Sequence, residues 1–199
     1  MAKTAINLTG DKEADALLSK DPLALLIGMV LDQQIPLERA FWAPAELARR
    51  LGKPLNATEM AAMDPDQFAE LFKARPALHR FPGAMAARVQ AVCAIVADEY
   101  GGKAAALWGK VPDGKTLIER LTALPGFGEQ KARIFAALLG KQLGVQPDGW
   151  RAATSPFGEA GSYISVADIT GPESLAKVRA HKQEMKAAAK SKSAAKSDA

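Results

Sequence analysis

The chain has 199 residues, 48% of them hydrophobic and 6% aromatic, with a formal net charge of +4. That length supports one good core, in one body or two small lobes. The single cysteine, Cys93, excludes a disulfide framework, a cysteine-rich zinc site and a four-cysteine iron–sulfur cluster, and His79 and His181 have no neighbours at metal-ligand spacing.

Residues 1–10 read as a short arm or strand, and DKEADALLSK predicts a first helix. Asp21 followed by Pro22 supplies an N-cap and a first-turn proline. The helix LALLIGMVLDQQ that follows is apolar nearly all round and is expected to be buried. Its apolar run, Leu23 to Leu31, is about half of what a membrane span needs. The first residues lack a charged-then-apolar leader, so the expected location is cytoplasmic, nucleoid-associated if bacterial, with no membrane partner.

Pro36 restarts the chain into LERAFWAPAELARRLG, a helix ending at Gly52. NATEMAAMDPDQFAELFKA predicts two short helices, capped by Thr58 and by Asp64 before Pro65. After the turn region RPALHRFPGA, residues 84–100 place Met85, Val89, Val92, Cys93 and Val96 on one helical stripe. Cys93 is thus a packing residue. A connector with a helical turn leads to TLIERLTA, a short helix. The turn LPGFG and a helix over about 129–142 follow, with Ala132, Phe135, Leu138 and Leu139 inward. Beyond Gly144 the pattern weakens to loop with one extended piece, and a last helix spans about 172–188. The Lys/Ala-rich segment 189–199 is expected to be disordered. Residues 177–199 hold seven Lys or Arg against Glu184 and Asp198, so they carry +5 and the rest of the chain −1. The basic end reads as a solubilising tail or a salt-sensitive DNA tether.

Two short helices joined by L-P-G-x-G predict a helix-hairpin-helix centred on 120–135. Gly126 and Gly128 permit backbone angles closed to other residues and clear the turn of side chains. The turn's amides and the following helix N-terminus make an anion site suited to a nucleic-acid phosphate. Lys131 and Arg133 add charge, Lys131 being expected to turn toward phosphate. Counting Leu124 as the first residue, Asp148 is the twenty-fifth, and a helix plus a short return brings it near the start of the hairpin region. Asp148-Gly149 also suits a plain turn, or an N-cap for a helix starting at Trp150.

This hairpin-to-aspartate spacing resembles the helix-hairpin-helix (HhH-GPD) glycosylases of base excision repair, and PDG at 147–149 is similar to the LDG of their adenine-glycosylase branch. Upstream, DPLALLIGMVLDQQIPLERA resembles the alkyladenine-glycosylase branch, whose glutamines sit at the gap left by the flipped nucleotide. The resemblance covers about residues 20–150. It implies a mainly all-α, two-lobed helical domain over 1–188 with double-stranded DNA in the cleft, acting as a monomer. It implies Asp148 as the catalytic carboxylate, and Gly126, Gly128, Gln130 and Lys131 along the DNA backbone. Gln33, Gln34 and Phe81 fall at the lesion, Phe81 as an intercalating wedge, and Trp150 falls at the base pocket, ahead of Trp42 and Trp108. No metal or iron–sulfur cluster is implied, although the family hairpin can hold a monovalent cation through backbone carbonyls.

The chemistry follows from these residue types. Breaking an N-glycosidic bond builds positive charge on the sugar, which a carboxylate such as Asp148 stabilises while orienting water. In the glycosylases it resembles, a lysine at the seventh hairpin position forms a Schiff base and nicks the strand; here that position is Gln130, so the resemblance implies a monofunctional DNA glycosylase. The alternative is a non-catalytic helix-hairpin-helix DNA-binding protein. It is favoured by the short, broken segment after Asp148. A helical protein-interaction module is a third reading.

Overall fold

A computed structural model describes the backbone of residues 5–197 and the side chains of residues 5–188. Among the described residues ten α-helices form: α1 Lys12–Lys20, α2 Pro22–Leu31, α3 Leu37–Leu51, α4 Ala57–Ala62, α5 Pro65–Lys73, α6 Pro82–Tyr100, α7 Gly114–Thr122, α8 Glu129–Gln142, α9 Trp150–Thr154 and α10 Pro172–Ser197. Short 3-10 turns lie at Ala104–Leu107 and Val166–Asp168. No strand forms among the described residues; the single parallel bridge pairs Asp113 with Asp148. The all-α expectation holds, and the segment over 5–10 is not a strand but an arm that buries Ile6 and Leu8.

Local chemistry sets the helix ends. Asp11, Asp21, Asp64 and Asp113 each accept first-turn amides with their side chains, which satisfies donors that a helix start otherwise leaves bare. The cap of α4 is Asn56, not Thr58; its extended backbone lets the side chain accept the Glu59 amide. Helix α9 does start at Trp150, but Gly149 occupies its cap position and no side chain caps it, so Asp148 is not a cap. Helix α10 runs to Ser197, past the residue 188 where the sequence suggested an end. Alanine and lysine fill this stretch, and both are strong helix formers.

Helices α1 to α6 pack among themselves, with every residue from Leu23 to Leu31 buried. Helices α7, α8, α9 and the 166–168 turn form a second packed set. One continuous apolar core runs through both. The 104–107 turn and the edge-on pair Trp108–Phe135 join them. Helix α10 returns to the first set, where Arg179 pairs with Glu38 of α3.

Candidate nucleic-acid interface

The hairpin is built as its sequence requires. Gly126 has φ 82°, a left-handed backbone that L side chains rarely adopt. Its missing side chain has a second use, because the Arg88 stem lies in the space a Cβ would take. Gly128 differs. Its φ of −80° is open to any residue, and a Cβ there meets nothing within 4 Å. The fold therefore makes no steric or dihedral demand for glycine at 128. Gly128 caps α8 without a side-chain hydrogen bond, so the first amides of α8 face outward unpartnered. A bare turn ahead of an uncapped helix N-terminus is an anion-accepting surface. Gln130 is exposed beside it.

Lys131 does not turn toward that surface. Its Nζ donates to the carbonyls of Met29 (2.9 Å) and Val30 (3.2 Å) at the C-terminus of α2. One helical step from Gln130 swings this side chain inward, and burial pushes its ammonium down to about 8. The cationic end suits the carbonyl end of a helix.

The α2 terminus is a junction of several elements. Gln33 Nε2 donates to Val30 O at 2.7 Å, and Arg88 Nη1 of α6 donates to Gln33 Oε1 at 3.1 Å. His79 Nε2 donates to Gln33 O at 2.9 Å, while its Nδ1 accepts the Phe81 amide at 3.0 Å. His79 is therefore the neutral imidazole protonated on Nε2, and burial holds its pKa below the ordinary histidine value. Gln34 is exposed with φ 58°, an uncommon backbone for a residue with a side chain. Phe81 is 43% exposed, one of the few large apolar side chains in solvent. Its loop is pinned from behind, where Arg39 bonds Ala77 O and Arg50 bonds Leu71 O and Pro76 O. Glu46 holds Arg50 and Arg49, and those guanidinium groups, Arg49 first, pull its carboxyl down to about 2.

The structure thus gathers Gln33, Gln34, Phe81 and Lys131, with the hairpin turn at Gly126 reached through Arg88. Arg88 and His79 are the members that sequence reasoning missed. Arg88 stands on α6 between Met85 and Val89 and gives only the weak signal of one charge beside an apolar stripe.

Asp148 and Trp150 lie elsewhere. Asp148 O accepts the Gly114 amide at 2.7 Å, at the start of the hairpin's first helix and away from the turn. Its side chain is exposed and makes no hydrogen bond or ion pair among the described residues. Gln146 and Arg151 on either side of it line a polar cavity of about 310 Å³ with Lys141, Ser162, Tyr163 and Thr170. Trp150 is not a pocket wall. It is 7% exposed, and its ring lies where Gly140 would bear a Cβ while its backbone presses on Gly114. Gly140 stands nine residues after Lys131 on α8, about 13 Å along the axis. Trp42 and Trp108 are likewise packing residues, under Arg39 and against Phe135.

The described residues hold no cluster of three or more His, Cys, Asp or Glu placed for a metal ion, and no helix among them is long and apolar enough to cross a membrane. A family model described as HhH-GPD superfamily base excision DNA repair protein matches residues 27–196. Comparison with curated proteins and with solved structures gives no match.

Proposed function

The chain belongs to the HhH-GPD superfamily of base excision DNA repair proteins, and from that premise we propose that it is a monofunctional DNA N-glycosylase acting on duplex DNA. The observation that carries this reading is the joining of the hairpin turn, Gln33 and Phe81 at one junction. Phosphate docks on the Gly128 turn and the bare amides of α8, which positions the duplex without reading sequence. Phe81 wedges into the stack as the nucleotide leaves it, and Gln33 and Gln34 fill the gap. Asp148, an exposed carboxylate with no side-chain partner among the described residues, supplies the negative charge for the sugar as the bond breaks. Monofunctional chemistry is supported by the absence of an amine at Gln130 and by the inward commitment of Lys131.

Asp148 shares no hydrogen bond with the junction residues, which favours a second reading, a hairpin protein that binds DNA without excising a base. Both are tested on duplexes each carrying one lesion: alkylated purine, uracil, 8-oxoguanine, hypoxanthine or mismatched adenine. Release of one base, with strand breakage only after alkali and loss in Asp148→Asn, supports the enzyme. Binding of every duplex with release from none supports the binder.

A further inference from the structure

Among the described residues, the buried and half-buried acidic side chains have hydrogen-bond or ion-pair partners, with one exception. Asp15 accepts the Leu8 and Thr9 amides and the Thr9 hydroxyl. Asp168 accepts Lys141, Ser162 and the amides of Ile164 and Ser165. Asp21 and Asp113 cap helices, Glu46 holds two arginines and Glu38 pairs with Arg179. Asp32 is half-buried, and its carboxylate makes no hydrogen bond or ion pair among the described residues.

Its position makes this odder. Asp32 is the C-cap of α2, so its charge adds to the negative end of the helix dipole. A carboxylate there, desolvated and unpaired, destabilises the fold. Such violations of local stability concentrate at functional sites. Asp32 also directly precedes Gln33 and Gln34 at the junction with the hairpin helix.

We propose that Asp32 is the proton donor to the departing base, and that the base it serves is neutral rather than a cationic alkylated purine. This rests on the glycosylase reading above. A neutral base leaves poorly unless it is protonated: the C1′–N bond breaks with its electron pair on the base, the base takes the Asp32 proton, and water adds to C1′ and releases a proton that restores the carboxyl. Burial raises the Asp32 pKa above the ordinary carboxyl value, the direction that proton donation requires, despite Lys182 of α10 and Lys131 of α8, with Glu38 of α3 adding to the rise. Those same two lysines disfavour a base that already carries positive charge.

The test is single-turnover excision across pH by wild type, Asp32→Asn and Asp32→Glu. The substrates are duplexes carrying hypoxanthine, uracil, 8-oxoguanine, mismatched adenine or N7-methylguanine, with duplex binding and Tm measured alongside. The expected result is excision of a neutral base whose rate falls as pH rises through one apparent pKa. Asp32→Asn slows it about 100-fold and removes that limb, Asp32→Glu restores part of it, and Asp32→Asn keeps duplex binding with an equal or higher Tm. An unchanged rate and pH profile in Asp32→Asn overturns the assignment while leaving the glycosylase standing. Excision confined to N7-methylguanine overturns the substrate class. Binding without excision of any base by wild type overturns the glycosylase reading itself, and the assignment with it.

Discussion

The stem of Arg88 fills the space that a side chain on Gly126 would occupy, while its head bonds Gln33. One arginine thus sets the hairpin turn against the glutamine pair. The two hairpin glycines consequently serve different ends. Gly126→Ala meets both a left-handed backbone and the Arg88 stem, so it should cost about 1–3 kcal/mol of stability. Gly128→Ala should leave Tm within about 2 °C, because nothing inside the fold opposes it. It should nonetheless weaken duplex binding, which fluorescence anisotropy at fixed salt would show. Equal binding by Gly128→Ala and wild type would remove the phosphate role from the turn.

Phe81 is held by a neutral histidine, which makes the junction sensitive to acid. The folded-state pKa of His79 lies below about 6.5, its unfolded value. The unfolded chain therefore binds more protons in the window between the two. Stability from this group is fully present above pH 6.5 and declines as pH falls toward the folded value. The Tm of wild type should drop between pH 6.5 and 5 more steeply than that of His79→Gln. Parallel curves would show that His79 does not set the slope.

Glu46 acts at a distance on the same loop. Its carboxyl is held near 2 by Arg49 and Arg50, so the stability it contributes is present above about 4.5 and is lost as pH falls toward 2. Glu46→Gln leaves Arg50 buried with its carbonyl partners alone, and should cost about 2 kcal/mol in chemical denaturation. The loop that presents Phe81 then loosens, and base extrusion, followed by 2-aminopurine fluorescence beside the lesion, should slow.

Lys131 has a depressed pKa of about 8, which in a solvent-open site would mark a nucleophile. Its two carbonyl partners argue for a structural clasp instead. Borohydride should trap no covalent enzyme–DNA adduct from wild type at pH 7 or pH 9. An adduct that disappears in Lys131→Ala would show that the amine leaves its carbonyls and attacks the sugar.

Much of this fold is written in local signals. The Asp21-Pro22 start, the Gly52 stop, the stripe through Val89 and Cys93 and the L-P-G-x-G turn each rest on chemistry a few residues wide. The candidate site is less legible because it is assembled across long separations. Arg88 of α6 meets Gln33 across 55 residues, and Lys131 of α8 meets Met29 of α2 across 102. A step of 100° separates Gln130 from Lys131, yet which of them faces α2 depends on how the hairpin docks. Trp150 misled for the opposite reason: its place after Asp148 suggests a pocket, but Gly114 and Gly140 cleared a slot for it.

That slot has a consequence for how the protein assembles. The Gly114–Asp148 hydrogen bond and the Trp150 ring close residues 113–150 on themselves, with both hairpin helices inside the loop. Closing this loop costs less chain entropy than closing the longer one from Met29 to Lys131, by about 1 kcal/mol. If the segment closes first, its amides should gain protection from hydrogen exchange ahead of those in α2 and α6 during refolding.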